Sequence, residues 1–186
     1  MKLLAFAAST LALGMVASSA LAQTCSAPTE LSSNATITNS AQPNFIPTTC
    51  TGDNSFTDIC GGATLTGRAH VYHWHYGGAN TPSGSITVTP AQKDNGSGGL
   101  AAATFDVALA VAQGSGACAA ALGNCSASAD NNANSSAESI ALSGLTTTGE
   151  YYLIISSFST TAANQCGPYG MTVGVLPVKL QSFSIN

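Results

Sequence analysis

Ala69-His70-Val71-Tyr72-His73-Trp74-His75-Tyr76 alternates without a break. Successive side chains of an extended chain point to opposite faces, so His70, Tyr72, Trp74 and Tyr76 share one face and Ala69, Val71, His73 and His75 the other. The stretch is a strand with one aromatic face, and Trp74, the sole tryptophan, belongs to the core. Further along, Glu150-Tyr151-Tyr152-Leu153-Ile154-Ile155-Ser156-Ser157 is the strongest strand signal in the chain, and Tyr169-Gly170-Met171-Thr172-Val173 reads as its antiparallel neighbour. Between these, Ser85–Thr89 alternates cleanly and stops at Pro90 before the turn-rich Lys93–Gly99. Ala103–Ala112 sets Phe105, Val107, Leu109 and Val111 against Thr104, Asp106, Ala108 and Ala110, a further strand in which Asp106 needs a hydrogen-bonding partner. Gly114–Ser136 reads as a long disulfide-tied loop and Glu138–Leu145 as a short strand running into a turn. Many short strands without a helical stripe make an all-β fold, an antiparallel β-sandwich of jelly-roll type. Its core is expected around Tyr72, Trp74, Phe105 and Tyr152.

Outside this region the chain changes character. Met1–Ala22 has Lys2, then the apolar run Leu3–Val16, then a small-residue exit Ala20-Leu21-Ala22, the pattern of a secretory signal peptide cleaved before Gln23. Residues 23–66 are rich in Thr, Asn and Pro and read as loops with one or two short edge strands of the same domain, the clearest near Asn34–Thr38. Residues 67–175 carry the sandwich core and 176–186 a linker-like tail. No later apolar run is long enough to span a bilayer, so the product is expected to be secreted, periplasmic or held at the cell surface.

Charge narrows the partners. Only 6% of the 186 residues are charged, with four Lys plus Arg against eight Asp plus Glu, where a soluble domain ordinarily carries about 25%. So few cations cannot neutralise a phosphate backbone, which excludes nucleic acid. The surface must instead be made of Ser, Thr, Asn, Gln, Gly and Ala.

Six cysteines, Cys25, Cys50, Cys60, Cys118, Cys125 and Cys166, all follow the leader. An even count in an exported chain reads as disulfides. Six cysteines allow 15 pairings and spacing alone fixes none; the expected set is Cys118 with Cys125 across a short Ala/Gly/Asn stretch, with Cys25 to Cys50 and Cys60 to Cys166 expected for the other four. The absence of any C-x-x-C argues against a zinc ribbon or a thioredoxin-type redox site.

The segments Val71-Tyr72-His73-Trp74, Ile86-Thr87-Val88, Thr104-Phe105-Asp106-Val107-Ala108-Leu109, Gly149-Glu150-Tyr151-Tyr152-Leu153-Ile154-Ile155 and Gly167-Pro168-Tyr169-Gly170-Met171-Thr172-Val173 together resemble the bacterial pre-peptidase C-terminal domain. The resemblance covers about 67–175. It implies an accessory β-sandwich of the kind appended to secreted proteases and other exoenzymes, seldom catalytic itself. Where that family has Asp before its V-Y pair this chain has His70, and the family's acidic loop is thinned to Asp130-Asn131-Asn132. Leu176–Ser184 resembles a linker found near the C-termini of bacterial secreted surface proteins.

For chemistry, His73 and His75 lie two apart on one strand face, a workable spacing for copper or zinc. Asp130 with Asn131 and Asn132, and separately Asp53, Asn54 and Asp58, offer oxygen ligands suited to calcium, although ordinary Asx-rich turns explain both. No G-x-S-x-G, HExxH, P-loop or G-x-G-x-x-G is present, and the three histidines fall within six residues, so neither an enzyme nor a resident cofactor is expected. The first functional expectation is a non-catalytic module binding an extracellular glycan or protein. A matrix or filament subunit that self-associates is the second, and a periplasmic metal-binding protein centred on His73 and His75 the third. With all six cysteines paired, thiol titration of the unfolded, unreduced mature protein should find no free sulfhydryl. Reduction should lower stability by ~2–5 kcal/mol for each bridge opened in denaturant melts, and two or more free thiols per chain would contradict the disulfide reading.

Overall fold

A computed structural model of the chain describes residues 27–31, 36–37, 47–52, 56, 58–60, 65–78, 81–93, 100–114, 121–122, 125–132 and 134–176. The expected signal peptide, Cys25, Cys118, the Asp53-Asn54 pair and the tail after Leu176 lie outside them. The strands are β1 (Thr29–Glu30), β2 (Thr36–Ile37), β3 (Asp58–Ile59), β4 (His70–Tyr76), β5 (Ser83–Lys93) and β6 (Leu100–Ala102). They continue with β7 (Ala108–Gln113), β8 (Ala121–Leu122), β9 (Cys125–Ala129), β10 (Glu138–Ala141), β11 (Gly149–Ser156) and β12 (Tyr169–Val175). Among the described residues no helix is long and apolar enough to cross a membrane.

The chain is all-β. One five-stranded sheet runs β1-β4-β11-β7-β9, a second runs β10-β5-β12-β2 with β6 on the far part of β5, and β3 pairs with β8. Pairing is antiparallel except at β1–β4 and β3–β8. Tyr72, Trp74 and Tyr76 of β4 and Tyr151, Leu153 and Ile155 of β11 share one core with Ile86, Val88, Tyr169, Met171 and Val173 of the second sheet. Trp74 stacks on Tyr151 with ring centroids 5.2 Å apart and planes 9° from parallel. The first sheet is also covered on its other face, where Ala69, Val71, Ala108, Ala110, Ala112 and Ile154 meet Phe56 and Leu65. Burial on both faces explains why β7 and β11 read as nearly continuous apolar runs.

That double burial overturns one expected core residue. Tyr72, Trp74 and Phe105 are buried as expected, but Tyr152 is half-buried on the outer face and Tyr151 takes the core position. In a run that is apolar on both sides the alternation has no readable phase. Pairing decides it, setting Tyr151 opposite Trp74 and Tyr152 opposite His73.

Other expectations change as well. β12 is not the neighbour of β11. It crosses to the second sheet and pairs with β5 and β2, since consecutive strands are neighbours only about two-thirds of the time. β5 does not stop at Pro90. The missing N–H falls where the strand exchanges partners, β10 having ended opposite Val88 while β6 begins opposite Ala91. Within Ala103–Ala112 only the part from Ala108 is strand, and the expected loop 114–136 contains β8 and β9.

The disulfides also differ from the expected set. Cys50 pairs with Cys166, and Cys60 with Cys125, so Cys50 is not joined to Cys25, Cys60 is not joined to Cys166, and Cys125 is not joined to Cys118. Short spacing is a poor guide here because tertiary contacts bring the partners together. The Thr49–Thr51 turn accepts and donates at Gly167, with Thr49 N–H to Gly167 O at 3.1 Å and Gly167 N–H to Thr49 Oγ1 at 3.1 Å, beside Cys166. The second bridge ties the segment that covers the outer face to the edge strand β9. The sequence separations of 116 and 65 correspond to roughly 4–5 kcal/mol each in the loop-closure picture. Trp74→Ala should cost ~3–5 kcal/mol in denaturant melts followed by circular dichroism, and Tyr152→Ala less than half as much. Equal losses would contradict the inward position of Trp74 and the outward position of Tyr152.

Candidate functional site

The half-exposed part of the first sheet's outer face carries five side chains from three adjacent strands. β1 sets Glu30 opposite His73, and β11 sets Glu150 opposite His75 and Tyr152 opposite His73. Gly149, at φ +137°, enters β11 in a conformation that favours glycine and sets the start of the strand that carries Glu150. His73 Nδ1 lies 2.7 Å from Glu30 Oε2, His73 Nε2 faces Glu150 Oε2, and His75 Nδ1 lies 2.6 Å from Glu150 Oε1. The Tyr152 ring lies 5.2 Å from the His73 ring, tilted by 42°.

Both ring nitrogens of His73 face carboxylate oxygens, Nδ1 towards Glu30 and Nε2 towards Glu150. Glu150 feels opposing effects. Partial burial pushes its carboxyl up, but hydrogen bonds to His75 and His73, and the charge on both, hold it below its ordinary range. The result is a mixed-charge patch with one aromatic face, able to donate and accept hydrogen bonds with a polar ligand.

The expected metal ligands are not gathered. His73 and His75 do share a face, yet His73 Nε2 and His75 Nδ1 are engaged by Glu150. Asp130 and Asn131 follow β9, three strands away from β4, which at sheet spacing is roughly 14 Å. Among the described residues no group of three or more His, Cys, Asp or Glu is arranged to hold a metal ion. The Asp130 turn closes on a buried carboxylate instead. Glu138 Oε1 accepts the N–H groups of Asn131 at 3.0 Å and Asn132 at 2.6 Å. Burial, then the charges of Asp106 and Glu138, push the Asp130 carboxyl up. Burial likewise raises Asp106.

His70 lies on the inner side of β4, only 4% exposed. Its Nδ1 is 2.8 Å from Tyr169 Oη, which lies 2.7 Å from Tyr72 Oη, and its Nε2 is 3.3 Å from Thr51 Oγ1. A Cβ at Gly52 would fall 2.0 Å from Ala69 O, so only glycine lets this turn approach His70. The chain of polar groups links the two sheets and the Cys50 turn in the interior. Burial lowers the His70 pKa to about 4.

The second sheet's outer face is different again. Ser85, Thr87 and Thr89 of β5, Ser139 of β10 and Thr172 of β12 stand on it, with Thr87 Oγ1 2.9 Å from Ser139 Oγ and opposite Thr172 in register. Residues 83–89, β10 and β12 add no charged side chain to that face.

Sequence reading identified His73, His75 and the strand holding Glu150, but missed Glu30 and Glu150 as their partners. The available signal was that Glu150 and Tyr152 share a parity, and it became useful only once the register was known. Comparison with protein-family models, curated proteins and solved structures finds no match to this chain.

Burial of neutral His70 has a pH consequence. Its folded pKa lies below the ordinary 6.5, so below that value the unfolded chain takes up a proton that the folded one resists. Stability should be full above about pH 6.5 and fall by up to ~3 kcal/mol towards pH 4. Denaturant melts across this range, with His70→Gln as comparison, check it. A wild-type slope no steeper than that of the variant would contradict the burial argument.

Proposed function

We propose that the chain is an exported, disulfide-tied β-sandwich that binds an extracellular carbohydrate or protein through the β4–β11 face and catalyses no reaction. The observation that carries this reading is the half-exposed set of Tyr152, His73, His75, Glu150 and Glu30, held in strand register on an otherwise weakly charged molecule. An aromatic ring offers a stacking surface, while carboxylate and imidazole groups offer hydrogen bonds to hydroxyls or amides. Two sheets sharing one core support the sandwich reading. The leader pattern and two disulfides fit an oxidising compartment. The segments that resemble the pre-peptidase C-terminal domain fall mainly on β4, β5, β11 and β12, in keeping with an accessory module.

A structural subunit is the second reading. The hydroxyl face of Ser85, Thr87, Thr89, Ser139 and Thr172 favours it, because residues 83–89, β10 and β12 present no charge there to oppose the stacking of copies. Binding of the mature protein to a glycan array and to insoluble polysaccharides tests the first reading. His75→Ala and Tyr152→Ala should each weaken capture at least about tenfold, the size of one lost anchor contact, with the fold retained by circular dichroism. Concentration-dependent assembly abolished by Thr87→Lys, without ligand capture, would overturn the first reading in favour of the second.

A further inference from the structure

The outer face of β4 and β11 is one surface in two conditions. Its alternation runs through Ala69, Val71, His73 and His75 on one strand and Glu150, Tyr152 and Ile154 on the other. His73, His75, Glu150 and Tyr152 reach solvent, whereas Ala69, Val71 and Ile154 are buried. The difference is made by Phe56 and Leu65, which lie over the apolar half and meet the cluster against which Tyr152 also packs.

The covering segment belongs to neither five-stranded sheet. Its strand β3 pairs with β8 over two positions, Asp58 with Ala121 and Ile59 with Leu122, and so short a two-stranded pairing is marginal in water by itself. The segment is anchored at both ends. Upstream stands the Cys50 turn, and downstream the Thr66 and Gly67 N–H groups donate to Ser157 O at 3.0 and 3.2 Å. Between the anchors, the bridge from Cys60 to Cys125 fastens it to edge strand β9. Cys60 sits at φ 54°, in the left-handed region that residues with a Cβ disfavour, so the turn at the bridge relaxes once the bridge opens. Both cysteines are partly exposed, which admits a small thiol.

The other bridge is backed differently. Beside Cys50–Cys166, Thr49 and Gly167 exchange two hydrogen bonds and the Tyr169 N–H donates to Pro47 O at 3.0 Å. Those bonds keep its cysteines side by side after cleavage and favour reclosure. We propose that Cys60–Cys125 is a redox-released strap: a dithiol reductant opens it ahead of Cys50–Cys166, and the freed segment uncovers the apolar half of the β4–β11 face while the sandwich stays folded. One thiolate of the reductant attacks a bridge sulfur, forming a mixed disulfide and expelling the other cysteine as thiolate. The second thiol of the reductant then closes an internal disulfide and expels the remaining cysteine. Two electrons pass from the dithiol to the bridge, and its two protons end on Cys60 and Cys125. As regulation of binding, the strap rests on the role proposed above for the β4–β11 face; the opening itself does not.

The test is graded reduction of the native protein with dithiothreitol, followed by alkylation and peptide mapping. Cys60 and Cys125 should be alkylated at least about tenfold faster than Cys50 and Cys166, since exchange follows access and local opening. Over that interval the near-ultraviolet circular dichroism of the aromatic core should persist, the Phe56 ring resonances should move, and binding of an apolar fluorescent dye should rise and then reverse on reoxidation. Cys60→Ser with Cys125→Ser should fold with the parent's near-ultraviolet spectrum and bind the dye without reductant. Simultaneous or earlier opening of Cys50–Cys166, opening only with loss of the core spectrum, opening without a dye or Phe56 response, or a double variant that does not fold would each overturn the strap. No readout uses a glycan, so failed glycan capture leaves the strap standing, and a strap that fails leaves capture by the oxidised protein standing.

Discussion

The antiparallel register between β4 and β11, seven residue pairs from Gly149 opposite Tyr76 to Ile155 opposite His70, is the constraint on which both the core and the outer face depend. Side chains of a strand alternate with period two, so a slip of one residue exchanges the faces. In the observed register Trp74 stacks on Tyr151 inside while His75 meets Glu150 outside. Either displacement by one residue would turn Glu150 towards the interior and Tyr151 outward, and burying an unpaired carboxylate is strongly unfavourable. The polar cluster and the aromatic core therefore specify the same alignment from opposite sides of one sheet.

The two sheets are held together by more than apolar contact. Tyr169 joins His70 and Tyr72 through its hydroxyl, in the interior between β4 and β12. Such a network is specific because each member left unpaired would be a buried orphan. Every buried side-chain nitrogen and oxygen among the described residues has a partner. The disulfides act at the periphery. Cys50–Cys166 fastens the turn that reaches His70, and Cys60–Cys125 fastens the segment covering the outer face. A chain with so few charges has little ionic structure to draw on, and the three histidine–carboxylate contacts among the described residues all meet at His73 and His75.

Much of this was legible in the amino-acid order. The uninterrupted alternation of residues 69–76 identified the aromatic face, the burial of Trp74 and the outward His73 and His75. The all-β character followed from the repeated short strands. What could not be read depended on contacts far apart in the chain. Tyr151 and Tyr152 are chemically identical neighbours in a doubly buried strand, so only pairing with β4 separates them. Pro90 looked like a terminator because the exchange of partners from β10 to β6 leaves no local trace. Cys118 looked like the partner of Cys125 because spacing sees only short loops. Glu30 lies 43 residues before His73, and nothing near it announces the contact.

The register can be tested through the coupling between Trp74 and the two adjacent tyrosines. A double-mutant cycle combining Trp74→Leu with Tyr151→Leu, measured by denaturant unfolding, should give a coupling of about 0.5–1.5 kcal/mol, the value of a stacked aromatic pair. The same cycle with Tyr152→Leu should give a coupling near zero. Coupling of Trp74 to Tyr152 in place of Tyr151 would contradict the register, and with it the placement of both the core and the histidine–glutamate cluster.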